Sequence, residues 1–437
     1  MELLRAIVNC QQIVTISSNG DQFRVGPDQD RVDIIERRSD GIGGAIVFGH
    51  NGQIVAVGHD DTVLKQLNSQ FNVSSFDQID HVIDGEGCSL IPGLIDAHTH
   101  PVWAGDRVNE FDLKLRGASY LEIHQSGGGI QYTVEQTEKA TEDELTQSLL
   151  ERIDKVSACG TTVLECKTGY GLALNTELKM LRVIERARKQ TPIELVTTFL
   201  GAHSVPKGMT PEQGVENVID MMDQISKMDE KFSVEFIDVF CEKGVYDLKQ
   251  TETILKHGLK TFSGSEIAFH GDELCDLGAG VLAGQMGARS VSHLEYANQQ
   301  SVAQMAKEKV AAIMCPTTCF LLRLPVPPVR SMIQSGVPVV IASDYNPNAM
   351  CYSLPMAMNL AAIHYGMTLN ECLIAVTINA AYALKRSQTH GTLEVGKRAD
   401  CILLNVPDWR NLIYQFGETS PLIRCVIKSG YVVHGKV

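Results

Sequence analysis

An apolar run, Ile91-Pro92-Gly93-Leu94-Ile95-Asp96-Ala97, leads straight into His98-Thr99-His100, and this junction constrains the chain more than any other stretch. Side chains alternate faces along a strand, so positions two apart project together. Two imidazoles at that spacing can grip one cation from the same side, whereas a helix would need a different spacing. The sequence therefore predicts a metal site at a strand end. An HxH pair alone is equally compatible with two ordinary polar residues closing a strand, so what stands elsewhere in the chain decides.

After that junction, β-like segments alternate with helical ones. Eight can be counted, at 94–98, 161–166, 194–200, 234–241, 266–270, 290–294, 311–315 and 338–343. Stretches 141–156, 176–189 and 215–228 carry apolar residues at helical spacing, and Thr141-Glu142-Asp143-Glu144 has the form of a capping box. Eight strands with crossover helices predict an α/β fold of the (β/α)8 TIM-barrel type, whose chemistry sits where strands end and βα loops begin. The two ends of the chain look different. Ala45-Ile46-Val47-Phe48 and Ile54-Val55-Ala56-Val57 flank Asn51-Gly52, a hairpin signal. Residues 399–404, 422–427 and 431–434 are again short strands. Neither end has enough strands to bury a stable face alone, so residues 1–92 and 391–437 are expected to combine into one small β-sandwich around a barrel at 93–390.

Length and charge narrow the partner. A chain of 437 residues can bury a large core, and no apolar run approaches the ~20 residues that a membrane helix needs. The formal charge of −14 gives no electrostatic footprint for nucleic acid or an anionic membrane. A small molecule is the better ligand. The N-terminal Met1–Cys10 reads as a first strand, not a secretory leader, and twelve cysteines without CxxC pairing read as thiols of a reducing, cytoplasmic compartment. Cys166 and Cys241 lie near strand ends, where a nucleophile is conceivable, but buried cysteine is commonly a small hydrophobe.

On the strand count, His98 and His100 end the first strand, His270 the fifth, His293 the sixth, and Asp344 the eighth. These ends meet at one barrel mouth. Neutral imidazole and carboxylate suit a divalent cation that keeps a position open for water, the arrangement of a metal-assisted hydrolase.

The segment Pro92–His100, together with His270, His293 and Asp344, resembles the amidohydrolase superfamily over nearly the whole chain. Gly391–Asp400 resembles that superfamily's return into its β-sandwich. Finer motifs are similar to the imidazolonepropionases, cyclic amidases of histidine degradation: Trp103–Arg107, Ser126–Ile130, Lys167–Gly171, Leu200–His203, His270–Glu273 and Ser343–Pro347. The resemblance implies one divalent metal ion, zinc or iron, on His98, His100, His270 and Asp344. It implies that Arg107, Tyr170, His203, Glu273, Asn346 and Asn348 contact the substrate, 4-imidazolone-5-propanoate. By the same resemblance Asp344 is the base for the attacking water, His293 stabilises the oxyanion, Glu273 orients a ring proton, and the assembly is a homodimer. Asn348 and Ala349 depart from the glycine and hydroxyl residue that bacterial members carry after the Asn-Pro pair. Binuclear relatives bridge two metals with a lysine at the fourth strand; here Lys243 falls two residues past that strand, which favours one ion. Physically, Arg107 in the first βα loop offers a fork of donors for a carboxylate, and glycines 127–129 could let backbone approach a ligand or hinge a lid. Two other functions use related sequences: a purine or pyrimidine base deaminase with the same ligands, and a non-catalytic scaffold, which would have lost them.

Overall fold

The computed structural model describes residues 2–117, 128–417 and 419–436. Ser126 and Gly127 of the glycine-rich segment, and with them any lid hinge at Gly127, lie outside the described residues. The chain resolves into two compact units, one of Met1–Ala97, Asp154–Val163 and Ser353–Val437, the other of His98–Ile153 and Leu164–Tyr352.

The first unit carries short strands from both chain ends: β1 (Leu3–Cys10), β2 (Gln12–Ile16), β3 (Asp33–Glu36), β4 (Gly44–Gly49), β5 (Ile54–His59), β6 (His81–Asp84) and β7 (Ser89–Pro92). One sheet is ordered β5-β4-β1-β6. Its β4–β5 pair is the hairpin expected from Asn51-Gly52, with Gly52 at φ +76, a conformation that favours glycine. The other sheet joins the two termini: β2, β3 and β7 lie in one six-stranded order with the C-terminal strands Cys401–Leu404, Ile423–Lys428 and Tyr431–Gly435. Cys401–Leu404 runs antiparallel to β7, pairing Ile402 with Ile91 and Leu403 with Leu90. Ile7, Ile46, Phe48, Leu90, Leu403 and Ile427 share one buried cluster, so the apolar faces that neither terminus could bury alone are buried jointly.

The eight-stranded sheet consists of β8 (Leu94–Asp96), β9 (Thr161–Lys167), β10 (Glu194–Ala202), β11 (Phe236–Cys241), β12 (Glu266–Gly271), β13 (Ser290–His293), β14 (Ala311–Met314) and β15 (Val339–Ile341), in strict sequence order. Neighbours from β10 to β15 pair in parallel. Closure comes from a parallel bridge between Thr99 and Tyr345, with His100 N donating to Tyr345 O (2.9 Å) and Asp344 N to His98 O (3.0 Å). The fold is the expected TIM-like barrel. Its first and last strands, Leu94–Asp96 and Val339–Ile341, are shorter than the 94–98 and 338–343 expected, and Asp344 beyond them sits at φ +48, outside the extended region. The helix Glu142–Ala158 begins with the reciprocal cap, Glu144 N to Thr141 Oγ1 (3.2 Å) and Thr141 N to Glu144 Oε2 (2.8 Å).

Candidate metal centre and substrate pocket

Closing the barrel brings the first strand's end against the eighth, and this places the candidate ligands. The Nε2 atoms of His98 and His100 lie 3.4 Å apart, and His270 Nε2 lies 3.3 Å from His100 Nε2. Asp344 Oδ1 is 3.5 Å from both His98 Nε2 and His100 Nε2. All four side chains are buried. Burial, followed by neighbouring cationic groups, pushes the imidazoles of His98 and His100 well below their ordinary range, so both are neutral.

The outward nitrogens of two of these rings are engaged. His270 Nδ1 donates to Asp238 Oδ1 on β11 (2.9 Å), a carboxylate that can only accept, and this turns Nε2 toward the other imidazoles. His98 Nδ1 lies 2.8 Å from Ser292 Oγ, a hydroxyl that holds the ring by hydrogen bonding. Three imidazole nitrogens converge with a carboxylate, a set of N and O donors that can share one cation. The donor set therefore fits a divalent ion.

Asp238 is itself held: Lys167 Nζ donates to its Oδ2 (2.7 Å) and to Glu165 Oε1 (2.9 Å). Burial alone would raise the Asp238 carboxyl, but its interactions with His270 and Lys167, including the hydrogen bonds both donate, outweigh it and hold it at about 2. Lys243, by contrast, is exposed beyond β11.

Around the ligands stand the remaining site residues. His293 ends β13 at φ +76 and stacks on His270 with ring centroids 5.2 Å apart. Its Nδ1 is 3.9 Å from Glu273 Oε1 and 4.0 Å from Glu295 Oε2. Burial, then the Asp344 and Glu242 charges, pushes Glu273 up to about 8, so at neutral pH this carboxyl is mostly protonated and can donate. Asp344 is raised to about 6 by burial, against the hydrogen bond that its Oδ2 accepts from Thr318. His203 stacks on His100 at 4.8 Å and lies 5.1 Å from the Tyr170 ring. Burial pushes its imidazole down to about 3, and its Nδ1 donates to Gly169 O (3.1 Å).

Arg107 is clasped by Glu110, through Nε to Oε2 (2.8 Å) and Nη2 to Oε1. Gly129 N and Lys114 Nζ also reach that carboxylate (2.8 and 2.9 Å). One edge of the guanidinium is thus committed, while Nη1 has no hydrogen-bond partner among the described residues. Asn346 donates to Asp344 O (2.6 Å) and accepts from Asn348 N (2.7 Å), so its amide builds the turn that presents Asp344. Asn348 Oδ1 accepts from Lys114. Cys241 is pushed up to about 12 by burial and supplies no thiolate at neutral pH; Cys166 is wholly buried.

Sequence reasoning missed Asp238, Ser292, Glu295, Thr318 and Glu110. Asp238 left a signal, a lone carboxylate inside the apolar strand Phe236-Ile237-Asp238-Val239-Phe240. The others sit at positions where such residues are commonplace.

The Amidohydrolase family model matches residues 279–434. A human protein named "Probable imidazolonepropionase" is 46% identical over 98% of this chain and 97% of its own length. Proteins of the same name from Danio rerio and Dictyostelium discoideum are 45% and 42% identical, covering 98% of this chain and 96% and 97% of theirs. Among solved structures, a triazine hydrolase variant superposes with TM-score 0.70 at 14% identity, covering 99% of this chain and 94% of its own. Escherichia coli guanine deaminase superposes at 0.68 and 14%, covering 100% of both. Those two likenesses concern the barrel fold; the sequence relatives, matched along their full length, reach further. The chain belongs to the imidazolonepropionase family of amidohydrolases.

Proposed function

We propose that this chain opens the ring of 4-imidazolone-5-propanoate by hydrolysis to N-formimidoyl-L-glutamate, with one divalent ion, zinc or iron, held by His98, His100, His270 and Asp344. The convergence of three buried imidazole nitrogens and the Asp344 carboxylate, in a chain of this family, carries the proposal. When bound, such an ion supplies Lewis acidity, polarising the ring carbonyl and making water a better nucleophile.

The chain's own groups do the rest. Asp344, ionised at neutral pH, takes the proton of the attacking water as oxygen bonds to the ring carbonyl carbon. It then gives that proton to the ring nitrogen as the C–N bond breaks. A ring N–H of His293 stabilises the tetrahedral oxyanion, an effect typically worth a few kcal/mol. Glu273, protonated, donates to the substrate ring and orients it. The free edge of Arg107 takes the propanoate carboxylate, its other edge being fixed by Glu110. Tyr170 and His203 wall the ring, and Asn346 and Asn348 complete the contacts. A base deaminase has no carboxylate to hold, so a guanidinium set aside in this way favours the propanoate. Assembly as a cytoplasmic homodimer is part of the same proposal.

The test is to supply imidazolonepropanoate and, separately, guanine and cytosine to metal-analysed protein and follow ring absorbance. Loss of the first alone, with about one metal per chain, is expected. Consumption of a base instead would replace this reading with the deaminase, and protein that neither binds metal nor turns over any of them would be a scaffold.

A further inference from the structure

We infer that Glu177 is a positioning residue for substrate binding: its buried carboxylate gathers the backbone of the Gly169–Leu172 loop, and through Gly169 it fixes His203 as a hydrogen-bond acceptor toward the substrate ring. The inference rests on the proposed role of Tyr170 and His203 as substrate contacts.

Glu177 lies in the first turn of the helix Leu174–Arg188 and is wholly buried. Its Oε1 accepts from Gly171 N (2.8 Å), Leu172 N (3.0 Å) and Gly169 N (3.2 Å), and Oε2 also lies 3.2 Å from Gly169 N. A buried carboxylate satisfied by three main-chain donors is a costly device, and it holds the loop in a conformation that chains otherwise avoid. Gly169 is at φ +109, and Leu172, which has a side chain, is at φ +53. Both glycines are needed by close approach. A Cβ on Gly171 would meet Glu177 Oε1 at 2.6 Å, and one on Gly169 would meet His203 Nδ1 at 3.0 Å.

Two things follow from the gathered loop. Tyr170 is presented between Gly169 and Gly171, with its ring 6.0 Å from that of the ligand His100. The carbonyl of Gly169 is aimed at His203 Nδ1, 3.1 Å away, and a carbonyl only accepts, so the ring proton resides on Nδ1. His203 Nε2 is then a bare acceptor. It selects a substrate ring that offers an N–H at that place, and it disfavours one that offers a lone pair.

The experiment compares wild type with Glu177→Gln and Gly169→Ala, each metal-analysed. Glu177→Gln removes the charge that draws the three N–H groups and replaces Oε2, 3.2 Å from Gly169 N, with a donor. In Gly169→Ala the carboxylate stays, and the methyl group presses on both His203 Nδ1 and Leu200 at a φ of +109. Both variants should raise KM for imidazolonepropanoate about tenfold with kcat within about threefold and metal content unchanged, as expected when a binding contact is lost. Protein labelled with 15N-histidine, with the His203 signal assigned through His203→Gln, gives a readout independent of turnover. Wild-type His203 should show the Nδ1–H tautomer, and both variants should show it mixed with the Nε2–H form. A KM within about twofold of wild type in both variants, or an unchanged His203 tautomer in Glu177→Gln, overturns the inference. Failure of wild type itself to consume imidazolonepropanoate counts against the proposed function, and the tautomer measurement still judges Glu177.

Discussion

Two buried clusters in this protein share a composition of one histidine, one aspartate and one lysine, and differ in what the histidine has left over. In the unit that carries the terminal sheets, Lys428 Nζ donates to Asp400 Oδ2 (2.6 Å), Ser429 N to Asp400 Oδ1 (2.8 Å), and His390 Nε2 lies 3.3 Å from the same carboxylate. Thr389 Oγ1 occupies His390 Nδ1 at 2.8 Å. Both ring nitrogens are used, and the cluster is closed. In the barrel, Lys167 and His270 hold Asp238 in the same manner, but His270 Nε2 points at the His100 Nε2 nitrogen, 3.3 Å away, among further imidazoles and a carboxylate. Residue types therefore do not distinguish a structural cluster from a functional one. The company of the remaining ring nitrogen does, since several buried nitrogen and carboxylate groups aimed at one point are unfavourable unless a ligand shares them.

The largest effect expected lies on the open side. Asp344→Asn keeps the shape and removes the base, so kcat should fall about 10²- to 10⁴-fold. Metal content must be measured beside turnover: retained metal with an unchanged rate would show that Asp344 is not the base. Next comes the lysine behind the centre. Lys167→Met leaves Glu165 and Asp238 buried without their cation, a loss of about 3–5 kcal/mol in chemical denaturation of the metal-stripped protein. Metal affinity should drop about 10- to 100-fold as His270 loses its fixed orientation. Undiminished affinity in the folded variant would mean that Lys167 only supports the fold.

The closed cluster should behave otherwise. Asp400→Asn leaves Lys428 buried without its counter-ion and is expected to cost about 3–5 kcal/mol, while metal affinity and KM in the folded protein stay at wild-type values. A fall in metal affinity there would break the comparison, because it would couple a saturated cluster to the centre.

Much of this was legible from the sequence because its signals are local. Alternation and helical spacing give the eight strands, and the period of two at His98 and His100 gives one side of the centre. The polar residues at strand ends, His270, His293 and Asp344, give the other. What stands behind each ligand was not legible. Asp238 is 32 residues from His270 and meets it only because β11 and β12 pair in the register Phe240 to His270. Glu177 looks like any acidic residue in a first helical turn, and its use depends on the left-handed backbone at Gly169 and Leu172, which no spacing announces. Arg107 was read as a carboxylate fork, but its clasp by Glu110 requires the Val108–Leu115 helix to place a carboxylate one turn on, where a surface ion pair is the usual outcome.

The smallest effect tests the electrostatics of the open cluster by pH. The Asp238 carboxyl is held at about 2 in the folded protein, below the ordinary 3.8, because Lys167 and His270 together outweigh its burial. A depressed acid contributes stability that is complete above its unfolded pKa and is lost as pH falls toward the folded one, since the unfolded chain takes up the proton first. For this one group the loss between pH 5 and pH 3 amounts to about 1 kcal/mol. Urea midpoints of metal-stripped wild type and Asp238→Asn should therefore draw together by about that amount over the interval, after the larger constant offset caused by losing the carboxylate. If the two curves run parallel from pH 5 to pH 3, Asp238 is not held low by its neighbours, and the Lys167–Asp238–His270 chain would not be the ionic counterpart of the closed one.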